Sequence, residues 1–162
     1  MRPSVDVKES SGPLSTKQIA ILIVDGNPAE VLLIREAFKA AGITGGLYTI
    51  TDLTEVLMYT RRQGKYADAP APDLIFLDLS FREKDGLDIL KEIKSTPSLV
   101  HIPIVVASGS DDPSLVRAAY DLNGNCFIRK PNELGELLRF IKTCYQFWGT
   151  VVTLSPESRE LL

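Results

Sequence analysis

The sequence predicts an α/β fold in which five parallel strands, each followed by a helix, form one doubly wound sheet. Three observations predict it. Short, nearly continuous apolar runs alternate with segments of helical spacing, the pattern of a parallel sheet covered on both faces. The length of 162 residues suits one domain. Polar residues directly follow four of the apolar runs, at the carboxyl ends where such sheets carry their sites.

The first strand and helix are predicted from residues 19 to 42. Ile19–Val24 is an uninterrupted apolar run, which indicates a strand buried on both faces. Asn27 followed by Pro28 predicts the start of a helix, because Asn is a favoured N-cap and the φ angle of Pro suits the first helical position. Gly42 predicts the end of this helix.

The second unit is shorter. Leu47–Ile50 predicts a strand, and Asp52 with Glu55 three residues later resembles a capping box. We therefore expect a helix that runs to about Gln63. The following segment, "GKYADAPAP", is a loop by its Pro and Gly content.

The third and fourth units continue the alternation. Leu74–Leu77 predicts the third strand, and Asp85 is expected to cap the helix after it. Ile102–Ala107 predicts the fourth strand. Asp112 and Pro113 repeat the pattern of Asn27 and Pro28, so they predict the start of the fourth helix.

The last unit joins a short strand, Cys126–Ile128, to a helix from Asn132 onward with one apolar stripe. The apolar segment after this helix leaves two possibilities. It either packs back on its own domain or forms a contact with a second copy of the chain. The expected organisation is an N-terminal disordered arm over 1–18, one domain over 19–147 and a C-terminal extension over 148–162.

Composition limits the class of protein. The net charge of -3 and the absence of a dense basic run argue against a nucleic-acid surface. Cys126 and Cys144 lack the spacing of metal ligands, so we expect buried thiols in a reducing compartment. No apolar run is long enough for a bilayer, and residues 1–18 lack the apolar stretch of a signal peptide. A cytoplasmic protein without membrane contact is therefore expected.

Four polar residues are expected to converge at one edge of the sheet. Asp25, Asp78, Ser108 and Lys130 follow the first, third, fourth and fifth strands. Two nearby carboxylates repel unless a cation intervenes, and Mg²⁺ prefers oxygen ligands such as Asp25, Asp78 and a backbone carbonyl. A carboxylate can also attack phosphorus, while a lysine ammonium and a hydroxyl stabilise the transferred phosphoryl group.

Four segments carry a resemblance to a known family: "ILIVDGNPAE", "PDLIFLDLSFREKDG", "IPIVVASGS" and "CFIRKP". In this order they resemble the receiver domain of bacterial response regulators over residues 19–147. The resemblance implies a flavodoxin-like (βα)5 fold with strand order 2-1-3-4-5. It also implies that Asp78 accepts a phosphoryl group from a sensor histidine kinase in a two-component phosphorelay.

The same resemblance assigns roles at the site. It implies that Lys130 contacts the phosphoryl group, that Ser108 is the hydroxyl switch residue and that Phe127 is the aromatic switch. Ser80 would offer its backbone carbonyl to Mg²⁺, beside Asp25 and Asp78. The bond between Lys130 and Pro131 is expected to be cis, as it usually is in the family.

A narrower resemblance concerns "RRQGKYADAPAPDLI" and the tail "FWGTVVTL". These segments are similar to small stand-alone receivers that are paired with phytochrome-type kinases. In that group the last helix and the tail help to form a homodimer. We therefore expect a homodimer contact from residues 148–162, and an output through a changed protein–protein surface rather than through DNA.

One position departs from the family. Gly26 stands where the family has the acid that binds Mg²⁺ directly, so the Mg²⁺ affinity is expected to fall, unless Asp25 turns inward to replace it. A degenerate receiver that acts without phosphorylation is therefore the alternative. An aspartyl-phosphate phosphatase is disfavoured because Ser80 stands where its general acid is needed, and a flavin carrier because Asp25 stands where the flavin phosphate would sit. We expect no enzyme beyond a receiver that could catalyse its own phosphorylation and dephosphorylation.

Overall fold

The computed structural model describes residues 18–43, 46–80 and 83–156. Its five strands form one parallel sheet in the order β2-β1-β3-β4-β5, which confirms the predicted fold class and strand order. The expected N-terminal arm lies outside the described residues except for Gln18, which is exposed. The strands are β1 Ile21–Val24, β2 Leu47–Ile50, β3 Leu74–Asp78, β4 Ile104–Ser108 and β5 Cys126–Arg129.

Helices cover both faces of this sheet. They are α1 Pro28–Ala40, α2 Val56–Thr60, α3 Glu83–Ser95, α4 Pro113–Asp121 and α5 Leu134–Gln146. Short 3-10 turns lie at Leu53–Glu55 and Gly64–Tyr66, and α5 continues into a π-helical turn at Phe147–Val151. One core cluster lies between the sheet and α2, α3 and α4, and a second lies between the sheet and α1 and α5. No helix in these ranges is long and apolar enough to cross a membrane.

The bounds of α1 agree with the sequence signals. The side chain of Asn27 accepts a hydrogen bond from the backbone N–H of Ala29, at 3.0 Å. At the other end Gly42 has a φ of 73°, and the N–H groups of Gly42 and Ile43 donate to the carbonyls of Lys39 and Phe38. This is a Schellman motif, which closes the helix where the glycine predicted its end.

The second helix differs from the prediction of one continuous helix from Asp52 to about Gln63. Asp52 does cap the first turn through the N–H of Thr54, at 2.9 Å. Glu55 does not complete the capping box, because its carboxylate accepts hydrogen bonds from Lys65 Nζ, at 2.5 Å, and from the hydroxyl of Tyr66. The segment therefore forms a 3-10 turn and a five-residue helix instead.

Other bounds shift by one to two residues, as fraying ends commonly do. β1 begins at Ile21 because Ala20 instead pairs with Asp73, through N–H to Oδ2 at 2.8 Å. Asp85 lies inside the first turn of α3 rather than capping it, since the helix begins at Glu83. Asp112 caps α4 as predicted, with its carboxylate accepting from the N–H of Ser114 at 2.8 Å.

The expectation of a cis bond before Pro131 is wrong. Among the described residues no peptide bond is cis, so the Lys130–Pro131 bond is trans. Trans is the intrinsically favoured form of an X–Pro bond, by about 0.5–1 kcal/mol.

The register of the ladder aligns four strand ends at one edge. Val24 pairs with Leu77, Asp78 pairs with Ala107, and Ser108 pairs with Arg129. Residues at these positions, or one step beyond them, therefore emerge together from the carboxyl edge of the sheet.

Candidate functional site

The carboxyl edge brings three of the sequence-predicted residues into direct contact. Asp25 follows β1, Asp78 ends β3 and Lys130 follows β5. The ammonium of Lys130 lies 3.1 Å from Asp25 Oδ2 and 2.7 Å from Asp78 Oδ2. A single lysine therefore contacts two aspartates that precede it in the chain by 105 and 52 residues.

Backbone hydrogen bonds orient both aspartates. Asp25 Oδ1 accepts the N–H of Asn27 at 2.9 Å, and Asp78 Oδ1 accepts the N–H of Ser80 at 2.8 Å. The second oxygen of each carboxylate is left to face Lys130. The two acids are therefore held in fixed orientations before any ligand arrives.

Burial sets the electrostatics of this group. Asp25 is 1% exposed and Asp78 is 8% exposed. Burial raises the pKa of Asp25 to about 6, although the Asn27 N–H and the charge of Lys130 act to lower it. For Lys130 burial acts to lower the pKa, but hydrogen bonds to Asp78 and Glu30 outweigh it and raise the pKa above its usual value. The lysine is therefore firmly protonated.

A third acid, Glu30, joins this group, and the sequence analysis missed it. Its Oε2 contacts Lys130 Nζ, and its Oε1 accepts from Asn27 Nδ2 at 3.3 Å. Glu30 is the third residue of α1, in the first turn beside the strand end. Its place three residues after the predicted N-cap was the signal that could have identified it.

Two serines link the loops around the site. The hydroxyl oxygen of Ser108, a residue 1% exposed, accepts the N–H of Ser110 at 3.1 Å. The hydroxyl of Ser80 accepts the N–H of Gly109 at 3.1 Å, so it joins the loop after β3 to the loop after β4. The backbone N–H of Lys130 donates to the carbonyl of Ser108 at 2.8 Å. Ser108 therefore lies next to the cluster through its backbone, with its hydroxyl engaged by Ser110.

The remaining sequence candidates are not members of the acidic cluster. Phe127 is partly buried in β5 and packs against the core cluster under α3 and α4, while its N–H donates to the hydroxyl of Tyr120 at 3.1 Å. Pro131 lines an apolar cavity beneath Asp25, Asp78 and Lys130. Gly26 is exposed and contributes no side chain.

The donor set fits a divalent cation. Asp25, Glu30 and Asp78 each offer a carboxylate oxygen, and these oxygens lie within 4.8 Å of one another. Hard cations such as Mg²⁺ and Mn²⁺ prefer carboxylate and carbonyl oxygens. The same carboxylates beside a lysine also suit attack on phosphorus, because the ammonium can offset negative charge on a phosphoryl group.

A family model for the response regulator receiver domain matches residues 21–142. The chain belongs to the receiver domain family. Residues 21–142 contain the whole sheet and all four strand-end candidates, so this receiver matches the family over both its fold and its candidate site.

The relatives point to a subgroup. This receiver is 36% identical to the response regulator Rcp1 of Synechocystis sp. over 134 residues, which cover 83% of this chain and 91% of Rcp1. It resembles the phosphorylated cyanobacterial phytochrome response regulator RcpA with a TM-score of 0.78 and 39% identity, covering 85% of this chain and 99% of RcpA. The Mn²⁺-bound form of Rcp1 matches with a TM-score of 0.76 and 35% identity, over 85% of this chain and 99% of Rcp1.

The receiver is thus a homologue of phytochrome response regulators of two-component signalling. The Mn²⁺-bound relative and the acidic cluster of this chain both indicate divalent metal binding.

Proposed function

We propose that this receiver accepts a phosphoryl group on Asp78 from a sensor histidine kinase and signals through a changed protein–protein surface. One observation carries the proposal. The Asp78 carboxylate ends a buried strand at the open edge of the sheet, 2.7 Å from the ammonium of Lys130 and beside a second acid, Asp25.

The proposed transfer is a displacement at phosphorus. A carboxylate oxygen of Asp78 forms a bond to the phosphorus of a phosphohistidine, and the bond from phosphorus to the imidazole nitrogen breaks. The imidazole keeps the electron pair and takes up a proton on release. The ammonium of Lys130, already beside Asp78, shifts to contact one phosphoryl oxygen. The hydroxyl of Ser108 gives up its hydrogen bond with the Ser110 N–H and donates to a second phosphoryl oxygen.

The metal of this proposal is Mg²⁺. Asp25, Asp78 and the backbone carbonyl of Ser80 would hold it, and it would supply positive charge to the phosphoryl oxygens. The N–H groups of Asn27 and Ser80 keep both carboxylates oriented toward the shared site. Phe127, packed beside β4, is the proposed aromatic switch that reports the state of Ser108 to the surface of the α4 and β5 region.

The proposed partners follow from the relatives. Because RcpA is a phytochrome response regulator, the proposed kinase is phytochrome-like. A homodimer through the C-terminal extension, a cytoplasmic location and an output without nucleic acid or membrane belong to the same proposal. The exposed side chains of Phe147, at 48%, and Val151, at 67%, support the dimer.

The first test is intact mass after incubation with acetyl phosphate, with and without Mg²⁺. We expect the mass of one added phosphoryl group in the wild type with Mg²⁺, and no increase in Asp78→Asn or without the metal. Asp88→Asn is a matched control, because Asp88 is an exposed acid on α3 and its loss should leave the labelling unchanged. Labelling that persists in Asp78→Asn would contradict the proposed acceptor.

A degenerate receiver remains the second candidate, because Gly26 removes an acid from the loop after β1. It predicts no labelling of the wild type under any condition, and labelling only after Gly26→Asp restores the acid. Labelling of the wild type with Mg²⁺ would exclude it.

A further inference from the structure

We propose that Glu30 replaces the acid missing at Gly26 and acts as the third carboxylate of the divalent metal site. The inference rests on the proposed metal-assisted function, and it concerns which residues of this chain make that function possible. Among the described residues, the carboxylate cluster at this edge would without Glu30 consist of Asp25 and Asp78 alone.

The position of Glu30 turns it toward the site. It lies in the first turn of α1, and both of its oxygens face the edge of the sheet, with Oε2 on Lys130 Nζ and Oε1 near Asn27 Nδ2 at 3.3 Å. Its side chain is 32% exposed, so its charge stays partly solvated and the carboxylate has room to adjust to a ligand.

Helix capping does not account for Glu30. In a capping box the acid at this position accepts the backbone N–H of the N-cap residue. Here Asp25 Oδ1 accepts that N–H of Asn27, at 2.9 Å. Glu30 therefore does not fill the capping role, and its Oε2 instead contacts Lys130, the cation that Asp25 and Asp78 also hold.

Including Glu30 makes the net charge of the group equal and opposite to that of a divalent ion. Asp25, Asp78 and the protonated Lys130 together carry a net charge of -1, and Glu30 brings it to -2. A dication is then balanced by the group around it. Mg²⁺ would need its oxygen ligands close together, and these three carboxylate oxygens already lie within 4.8 Å of one another.

The test is binding of Mn²⁺, followed by the electron paramagnetic resonance signal of the free ion, with Mg²⁺ as competitor. We expect Glu30→Gln to weaken Mn²⁺ binding by about tenfold or more. Glu36→Gln is the matched control, since Glu36 is an exposed acid on the same helix and its loss should leave the affinity unchanged.

Two further variants separate ligation from other roles. Gly26→Asp in the Glu30→Gln background should recover most of the lost affinity. The backbone permits this change, because Gly26 is exposed and is not among the glycines of positive φ in the described chain. Glu30→Asp keeps the negative charge but shortens the side chain. If Glu30 is a ligand, this variant should bind Mn²⁺ more weakly; if Glu30 acts only through its charge at a distance, the affinity should not change.

The outcomes distinguish this inference from the proposed function. If Asp25→Asn weakens Mn²⁺ binding and Glu30→Gln does not, the role of Glu30 is overturned and the metal site stands. If the wild type binds no Mn²⁺, both the role of Glu30 and the metal part of the proposed function fail. Equal unfolding midpoints of Glu30→Gln and the wild type without metal, with a loss of affinity, would exclude a merely structural role.

Discussion

The two faces of the sheet differ in how completely their apolar side chains are buried. The face under α2, α3 and α4, the α3/α4 face, packs residues such as Leu77, Leu90 and Ile93 at 0% exposure. The face under α1 and α5, the α1/α5 face, relies on many partly exposed residues. These are Ile34, Ile43, Leu47, Cys126, Ile128, Leu137, Leu138, Phe140, Cys144, Tyr145, Trp148 and Leu154.

The difference shows that the α1/α5 face is sealed with help from residues beyond the last helix. Trp148 and Leu154 pack against its core cluster, and Gly149 is buried beside Ile19 and Tyr145. An apolar cavity nevertheless remains on this face, beneath Asp25 and Lys130. Part of the C-terminal extension therefore packs back on its own domain, while the side chains of Phe147 and Val151 remain exposed.

We expect the greatest loss of stability from replacing a buried isoleucine, and one isoleucine from each face allows the two faces to be compared. Ile93→Ala should lower the free energy of unfolding by about 4 kcal/mol, because the side chain is fully enclosed and leaves a cavity. Ile141→Ala should cost about 2 kcal/mol, because Ile141 already borders a cavity. Urea unfolding at one protein concentration measures both, and equal losses would contradict the proposed difference between the faces.

The next effect concerns the residues that seal the α1/α5 face. A truncation after Phe147 removes Trp148 and Leu154, and we expect a loss of about 2 kcal/mol in urea unfolding. Light scattering tests the proposed dimer, because loss of the tail contact should halve the measured mass of the truncated protein.

A point variant separates these two readouts. Val151→Ser removes an exposed apolar side chain and leaves Trp148 and Leu154 in place, so it should weaken the dimer with little loss of domain stability. An unchanged mass in both variants would contradict a dimer through the tail, and an unchanged stability of the truncation would contradict the packing role.

The last prediction has the least effect on stability and concerns how well the α1/α5 face excludes water from its two cysteine thiols. Burial raises the pKa of the Cys144 thiol to about 12, with a further contribution from Cys126, whose pKa burial also raises. Since the thiolate is the reactive form, both thiols should react with a disulfide reagent at pH 8 far more slowly in the folded protein than in guanidinium chloride. Equal rates would mean that this face admits water.

The sign of the pH dependence follows from the same shift. Between the ordinary thiol pKa of 9.0 and about 12 the folded protein holds the Cys144 proton and the unfolded chain releases it. The free energy of unfolding should therefore fall as the pH rises through this window. Cys144→Ala should flatten this part of the profile.

The features that depend on local physics could be predicted from the amino-acid sequence alone. Apolar runs placed the five strands to within two residues, and Asn27 and Asp112 marked helix starts because N-caps are local hydrogen bonds. The strand-end positions of Asp25, Asp78, Ser108 and Lys130 followed from the same runs, since a charge is excluded from the interior of a buried strand.

The contacts between residues far apart in the chain became visible only in the folded structure. Glu55 does not take its predicted capping role, because its carboxylate accepts hydrogen bonds from Lys65 and Tyr66. Glu30 contacts Lys130, which lies one hundred residues later in the chain. The division of the tail into a packed side and an exposed side also depends on where α5 lies on the sheet. Local patterns carry no information about such contacts, because strand register and helix packing, rather than sequence spacing, bring the side chains together.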